Sequence, residues 1–278
     1  MSGQESEKPT KRKRAICDHC DRPTPQACIC CALPTHPLQL LKSRVIVLQH
    51  PSESKRKNSS LPLTSLCLDD KYHKGTKLNA HVDVSFYKTV ARWWGEQVVE
   101  PEIWKLVNDE NEPVLICFPS DEAVTLEEAL LKISKLILPE VAKNEETISK
   151  SQHSDDAEIY TPKINIIFID ATWKYAKEMV SKTIQNGGWP SHSINVKLEP
   201  TKDFGENFKA RRFDIRTPPS VDHLSTAECI AHVLREVEGR SADNELFDTL
   251  MRPLDLMVQQ WHSFQDSKKK LKKSADEC

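Results

Sequence analysis

INIIFIDATWKYAKEMVSKTIQN, Ile164 to Asn186, decides the fold. Ile164, Ile166, Ile167, Phe168 and Ile169 make a short apolar run with little polar interruption. Such a run reads as a strand buried on both faces, as in an α/β sheet. After Asp170-Ala171-Thr172 the period changes. Trp173, Ala176, Val180 and Ile184 recur at three- or four-residue steps, which marks an amphipathic helix. Gly187-Gly188 stops it. Asp170 therefore sits where a buried strand gives way to a helix. In open α/β sheets ligands bind beyond the carboxyl ends of strands. Asp170 either caps the helix, or it orients a ligand or takes a proton.

The same alternation extends in both directions. Arg44 to Leu48 reads as the first core strand, followed by Gln49-His50-Pro51-Ser52-Glu53 and the basic polar stretch Ser54 to Ser60. Val82 to Trp94 reads as a helix packing Phe86, Val90, Trp93 and Trp94, with the two tryptophans in the core. Val114 to Phe118 is a second buried strand, ended by Pro119-Ser120. Thr125-x-x-Glu128 is a capping box that opens a helix through Leu138. Ile194 to Leu198 is a further strand, and Arg211 to Arg216 is a basic segment. Ser225-x-x-Glu228 is a second capping box. It opens a helix on which Ala227, Ile230, Ala231, Leu234 and Val237 share a face, and Gly239 ends it. The last helix, Leu246 to Phe264, contains Pro253 and should kink there, with Trp261 as its anchor. Strands and helices alternate and polar elements fall at strand ends. The expectation is an α/β fold, a mainly parallel sheet with flanking helices.

At 278 residues the chain can hold one large domain with small additions. Residues 1–14 read as a disordered basic tail, 15–40 as a cysteine knuckle and 41–265 as the main domain with a polar insertion at 141–162. Residues 266–278 read as a second basic tail. No apolar run approaches the ~20 residues of a membrane span, and the N-terminus lacks the apolar core of a secretory signal. A nuclear or cytoplasmic protein, with no membrane partner, is expected. Net charge is only −2, yet cations cluster at Lys11 to Arg14 and at Lys268 to Lys273. Solvated tails, nuclear import and phosphate contact all fit such runs. None of the seven glycines forms a G-x-G-x-x-G or a P-loop pattern, which disfavours dinucleotide and P-loop nucleotide sites.

Nine cysteines, five of them in one short stretch, suit a reducing compartment and a metal site better than disulfides. Cys17-x-x-Cys20 can present two thiolates to one Zn²⁺, and Cys28-Ile29-Cys30-Cys31 can close the site, with the fourth ligand open between Cys30 and Cys31.

Asp170-Ala171-Thr172-Trp173 fits D-x-T-W, and the chain resembles the DTW-domain family of tRNA-uridine aminocarboxypropyltransferases over about Ala15 to Gly239. Companion elements follow in the family's order. C-x-x-C-x-R-P followed by C-x-C favours a structural zinc on Cys17, Cys20, Cys28 and Cys30. An H-P-x-E element leads to a K-x-x-N-T-like segment, with Ser59 where threonine is usual. A strand ends in F-P-S, a basic segment precedes a loop, and L-S-T-x-E opens a helix. The resemblance implies a SPOUT-like, knotted core. It also implies transfer of the 3-amino-3-carboxypropyl group of S-adenosyl-L-methionine to N3 of a tRNA uridine, in the D-loop by preference. The product is acp3U, and methylthioadenosine is released. It implies a cofactor pocket of Phe118, Pro119, Ser120, Asp170, Thr172, Trp173, Leu224, Ser225 and Thr226. RNA contacts would come from His50, Glu53, Lys55, Arg56, Asn58, Arg212 and Arg216.

Chemistry assigns the roles. Uridine N3 carries a proton, so it needs a base, and Asp170 is the candidate. N3 lies on the pairing edge, so the target must be unpaired or flipped. A SPOUT-like methyltransferase and a non-catalytic zinc-containing RNA-binding protein are the alternatives.

Overall fold

The computed structural model describes residues 14–56, 58–68, 84–135, 162–198, 212–215, 223–239 and 245–276, with side chains of the last helix as far as Lys270. Its strands are β1 (Ser43–Gln49), β2 (Phe86–Val90), β3 (Val114–Cys117), β4 (Val124–Thr125), β5 (Ile164–Asp170) and β6 (Ser193–Lys197). They form one sheet in the order β2-β1-β5-β3-β6-β4, and every pairing is parallel. The helices are α1 (Leu61–Leu68), α2 (Pro101–Val107), α3 (126–135), α4 (Trp173–Gln185), α5 (Thr226–Glu238) and α6 (Glu245–Asp276).

β5 is buried because both faces of the sheet are covered. Ile166 and Phe168 join Val45, Val47 and Leu115 in a core shared with α1, α3, α5 and α6. Ile167 joins Ile46, Leu48 and Ile116 in a second core beneath α2 and α4. Adjacent strand residues feed opposite layers, as a period of two requires. The expected α/β sheet with flanking helices is what forms. β1 and β5 run in register from Ser43 beside Ile164 to Gln49 beside Asp170, so the carboxyl ends of both strands emerge together.

Four expectations change. The described part of the stretch Val82 to Trp94, residues 84–94, is not a helix: Phe86–Val90 is the edge strand β2, paired with Val45 to Gln49. The four-residue step from Phe86 to Val90 suits a strand's period of two as well as a helix, and Phe-Tyr-Lys-Thr-Val is rich in strand formers. Trp94 is fully buried, as a core residue should be. In α4 the inward face is Ala176, Met179 and Thr183, while Ile184 is 64% exposed. Thr183 is tolerated inside because its hydroxyl donates to Met179 O (2.8 Å) and accepts from Trp94 N (2.9 Å). The segment read as a basic tail instead continues α6 to Asp276. That helix is held by Leu250, Met251, Leu254 and Met257, whereas Trp261 is only half-buried.

Both capping boxes form. Thr125 and Glu128 exchange hydrogen bonds at the start of α3 (3.2 and 3.0 Å), and Ser225 and Glu228 do so at α5. The connection from β6 to α5, on which the expected knot depends, runs through 199–211 and 216–222, outside the described residues. Lys57, Arg211, Arg216, the first 13 residues and nearly all of the insertion at 141–162 also lie outside them.

Candidate functional site

A pocket of about 380 Å³ opens at the carboxyl edge of the sheet, where the ends of parallel strands leave a crevice. β3 and the residues after it contribute Cys117, Phe118 and Pro119. β5 and α4 contribute Phe168, Ile169, Ala171, Trp173 and Ala176. β6 and its end contribute Val196 and Leu198. The approach to α5 and its first turn contribute His223, Leu224, Thr226 and Cys229. The wall is mainly apolar. Burial pushes the Cys229 thiol up to about 12 and raises Cys117 as well, so both line the pocket as neutral thiols. Trp173 is 37% exposed. Its ring lies 5.8 Å from that of Phe118 and meets His223 edge-on at 5.1 Å, forming an aromatic side wall.

Asp170 is buried beside this pocket. Its Oδ2 accepts from Gln49 Nε2 (2.7 Å), the in-register partner on β1, and its Oδ1 accepts from Thr226 Oγ1 (2.6 Å) on α5. It does not cap α4. Thr172 is the N-cap, in extended conformation, and makes no side-chain cap bond. The cap reading of Asp170 therefore drops out. Its carboxylate instead ties β5, β1 and α5 together, and its neighbours Ile169 and Ala171 and its partner Thr226 all line the pocket.

The loop after β1 lies against the same edge. His50 N donates to Asp170 O (2.9 Å), and the His50 ring stacks on Tyr175 of α4 at 4.3 Å. Burial, with the Arg92 cation nearby, holds His50 below its ordinary pKa. Its Nδ1 accepts from Ser52 N (3.1 Å). Glu53 is buried and pairs with Arg56 (3.2 Å), while Lys55 and Asn58 are exposed. Glu228 holds another wall. Its Oε1 accepts from Arg212 N (2.6 Å) and Phe213 N (3.1 Å), while Oε2 accepts from Ser225 N (2.7 Å). The Arg212 side chain turns away to Asp255 (2.7 Å).

Of the residues expected around a cofactor, Phe118, Pro119, Trp173, Leu224 and Thr226 line the pocket. Asp170 and Ser225 hold its frame. Ser120 is adjacent, with a buried hydroxyl that has no hydrogen-bond partner among the described residues. Thr172 does not line the pocket. Gln49 and His223 were missed. Each comes from a different element, and only the fold brings them to the site. A glutamine ending an otherwise apolar strand was the signal for Gln49.

The knuckle is a separate site. The sulfurs of Cys17, Cys20, Cys28 and Cys30 all lie within 4.8 Å of one another. Cys17 and Cys30 are 3.5 Å apart, and Cys20 and Cys28 are 3.8 Å apart. Tetrahedral zinc with bonds of about 2.3 Å spaces its sulfurs by roughly 3.8 Å, so the four fit. Cys31 is exposed and outside the cluster, which resolves the fourth position in favour of Cys30. Backbone N–H groups of Cys20 and His19 lower the Cys17 thiol to about 6, readying it as a thiolate.

Fold and site together define a parallel α/β domain with a pocket at the carboxyl edge of the sheet and a four-thiol knuckle toward its N-terminus. The chain belongs to the DTW domain family, whose profile matches residues 14–262. It is 28% identical over 249 residues to the "tRNA-uridine aminocarboxypropyltransferase 2" of Macaca fascicularis, covering 90% of this chain and 64% of that protein. It is 27% identical over 256 residues to the "tRNA-uridine aminocarboxypropyltransferase A" of Arabidopsis thaliana, covering 88% and 82%. A Drosophila melanogaster "tRNA-uridine aminocarboxypropyltransferase 2" is 26% identical over 257 residues, covering 91% and 77%. The chain thus spans less than two thirds of the macaque relative's length. No solved structure matches it.

Proposed function

We infer that this protein transfers the 3-amino-3-carboxypropyl group of S-adenosyl-L-methionine to N3 of a tRNA uridine, in the D-loop by preference. The products are acp3U and methylthioadenosine. The observation that carries this reading is the buried Asp170, held by Gln49 and Thr226 at an aromatic-walled pocket. The names of the similar proteins support the same reaction class.

The pocket fits the co-substrate. About 380 Å³ lies within the range of small-molecule sites, roughly 300–1,000 Å³. Trp173 and Phe118 offer flat apolar surface to a purine. The buried Ser120 hydroxyl awaits a partner. The amino end of α5, at Leu224 to Thr226, favours a carboxylate. When bound, S-adenosylmethionine supplies a sulfonium leaving group. The chain's residues then have two tasks: to orient the acceptor and to remove its N3 proton.

Asp170 is the base, and it reaches the pocket through Thr226. Thr226 lines the pocket, and its hydroxyl donates to Asp170 Oδ1 (2.6 Å). A proton leaving N3 passes to Thr226 Oγ1 as the hydroxyl proton passes to the carboxylate, so Thr226 stays neutral and the negative charge moves from Asp170 to N3, where it serves the attack on the sulfonium-bound carbon. Trp173 stacks on adenine or on the extruded base. Lys55 and Arg56, exposed on the loop after β1, meet tRNA phosphates with His50, Glu53 and Asn58 as their frame. Arg212 and Arg216 serve the phosphates or the aminocarboxypropyl carboxylate. We assign a structural zinc to Cys17, Cys20, Cys28 and Cys30, and a nuclear or cytoplasmic location.

Product mass tests the reaction. Purified protein, S-adenosylmethionine and unmodified tRNA should yield a nucleoside carrying aminocarboxypropyl on uridine. A methylated product, or none, overturns the reading. Metal analysis should give about one zinc per chain, lost with Cys17→Ser plus Cys20→Ser. A metal-free and fully active preparation contradicts the zinc assignment.

A further inference from the structure

The far half of α6 takes no part in the pocket. This helix spans Glu245–Asp276, 32 residues. Phe247, Leu250, Met251, Leu254 and Met257 pack in the core, and no described residue beyond Met257 is buried. The sequence then places Lys268, Lys269, Lys270, Lys272 and Lys273 within six positions. Lys268, Lys269 and Lys270 are exposed. At about 3.6 residues per turn, these three alone point to more than half of the helix circumference. Lys269 lies 4.0 Å from Asp266, an exposed pair that water screens. Like charges this close on one helix repel, so an approaching anion gains from them.

The root of this arm is fixed by the cysteine knuckle. Arg22 Nη2 donates to the Met257 sulfur (2.9 Å), and Gln260 Nε2 donates to Cys28 O (2.9 Å). Lys268 to Lys270 stand roughly 12–15 Å further along the helix at about 1.5 Å per residue. Arg14, also exposed, ends the other basic run of the sequence at the same knuckle.

We propose that Lys268, Lys269 and Lys270 form a rigid arm that binds the phosphodiester backbone of RNA outside the pocket. Charge selects the occupant. The chain as a whole carries −2, so these cations are a local feature and not part of a general excess. From Ser267 to Asp276 the only apolar residues are Leu271 and Ala275. Such a helix has no stripe to sink into a bilayer, which favours a polyanion over a membrane. The contact is to backbone and is indifferent to base. It rests on the tRNA reading only for which RNA is held.

The test measures binding of unmodified tRNA, and of an unrelated RNA duplex, to the full chain across a salt series. It compares wild type with Lys268→Gln/Lys269→Gln/Lys270→Gln. The slope of log K against log salt should become shallower by about 0.7 to 0.9 for each lysine in contact, on both RNAs. KM for tRNA should rise while the single-turnover rate at saturating tRNA holds. Lys268→Glu/Lys269→Glu/Lys270→Glu should lose more affinity than the glutamine variant. Unchanged slope and affinity on both RNAs overturn the arm, as does a loss seen only with anionic phosphatidylserine vesicles. A shallower slope on the duplex, with no transfer to tRNA by wild type, upholds the arm and removes the proposed reaction instead.

Discussion

The two ends of β1 and β5 carry similar polar groups in different settings. At the amino ends, Glu112 accepts from Arg44 Nη1 (2.5 Å) and Asn165 Nδ2 (2.9 Å), and all three side chains are buried. At the carboxyl ends, Asp170 accepts from Gln49 and Thr226 (2.7 and 2.6 Å). Each end sets a buried carboxylate beside a side-chain amide. The first cluster is answered by a cation inside a closed layer. The second is flanked by residues that open into a pocket. A carboxylate paired with a guanidinium is committed to structure, because losing either partner strands the other charge. A carboxylate that accepts from a hydroxyl at a pocket wall has a proton path through that hydroxyl. Under the proposed reaction, the difference assigns stability to one end of the sheet and chemistry to the other.

The largest effect should come from the closed end. Arg44→Met removes the guanidinium that pairs with the buried Glu112 and should cost about 3–5 kcal/mol of unfolding free energy. Adding Glu112→Leu should recover part of that loss. Urea unfolding reads both. A single variant within experimental error of wild type would erase the contrast between the ends. Next comes Thr226→Val, which keeps shape and removes the hydroxyl. Single-turnover transfer should fall by roughly 10², and Thr226→Ser should restore most of it. Equal activity in the Val and Ser variants would remove the relay. Smallest are the caps. Ser225→Ala breaks a formed capping box and should cost about 1 kcal/mol, whereas Thr172→Ala removes no cap bond and should stay within about 0.5 kcal/mol. Thermal melts that rank them in reverse would show that Thr172, and not Ser225, carries the cap.

Much of the carboxyl edge was legible because its residues are local in sequence. The strand-to-helix switch at Asp170, the end of β3 at Phe118 and Pro119, and the capping box at Ser225 each announce themselves within about five residues. The cysteine knuckle did so as well, and geometry then separated Cys30 from Cys31. Long-range partners were not legible. The Gln49 to Asp170 bond spans 121 positions and depends on strand register. The closed cluster was hidden too, since Arg44 reads as the edge of an apolar strand and Asn165 as its one polar interruption. β2 was misread because Phe86 and Val90 satisfy two periods at once. The reach of α6 was missed because a lysine run carries no apolar face by which to recognise a helix.

Exchanging each carboxylate for its amide tests the central claim directly. Asp170→Asn can still accept from Gln49 while its own amide donates to Thr226 Oγ1, so its melting temperature should stay near wild type. Its single-turnover transfer to unmodified tRNA at saturating S-adenosylmethionine should fall by roughly 10² or more. Glu112→Gln should do the reverse, lowering the melt and leaving transfer by the folded protein within a few-fold of wild type. An Asp170→Asn protein that transfers at more than about a tenth of the wild-type rate would contradict the account and leave both ends of the sheet structural.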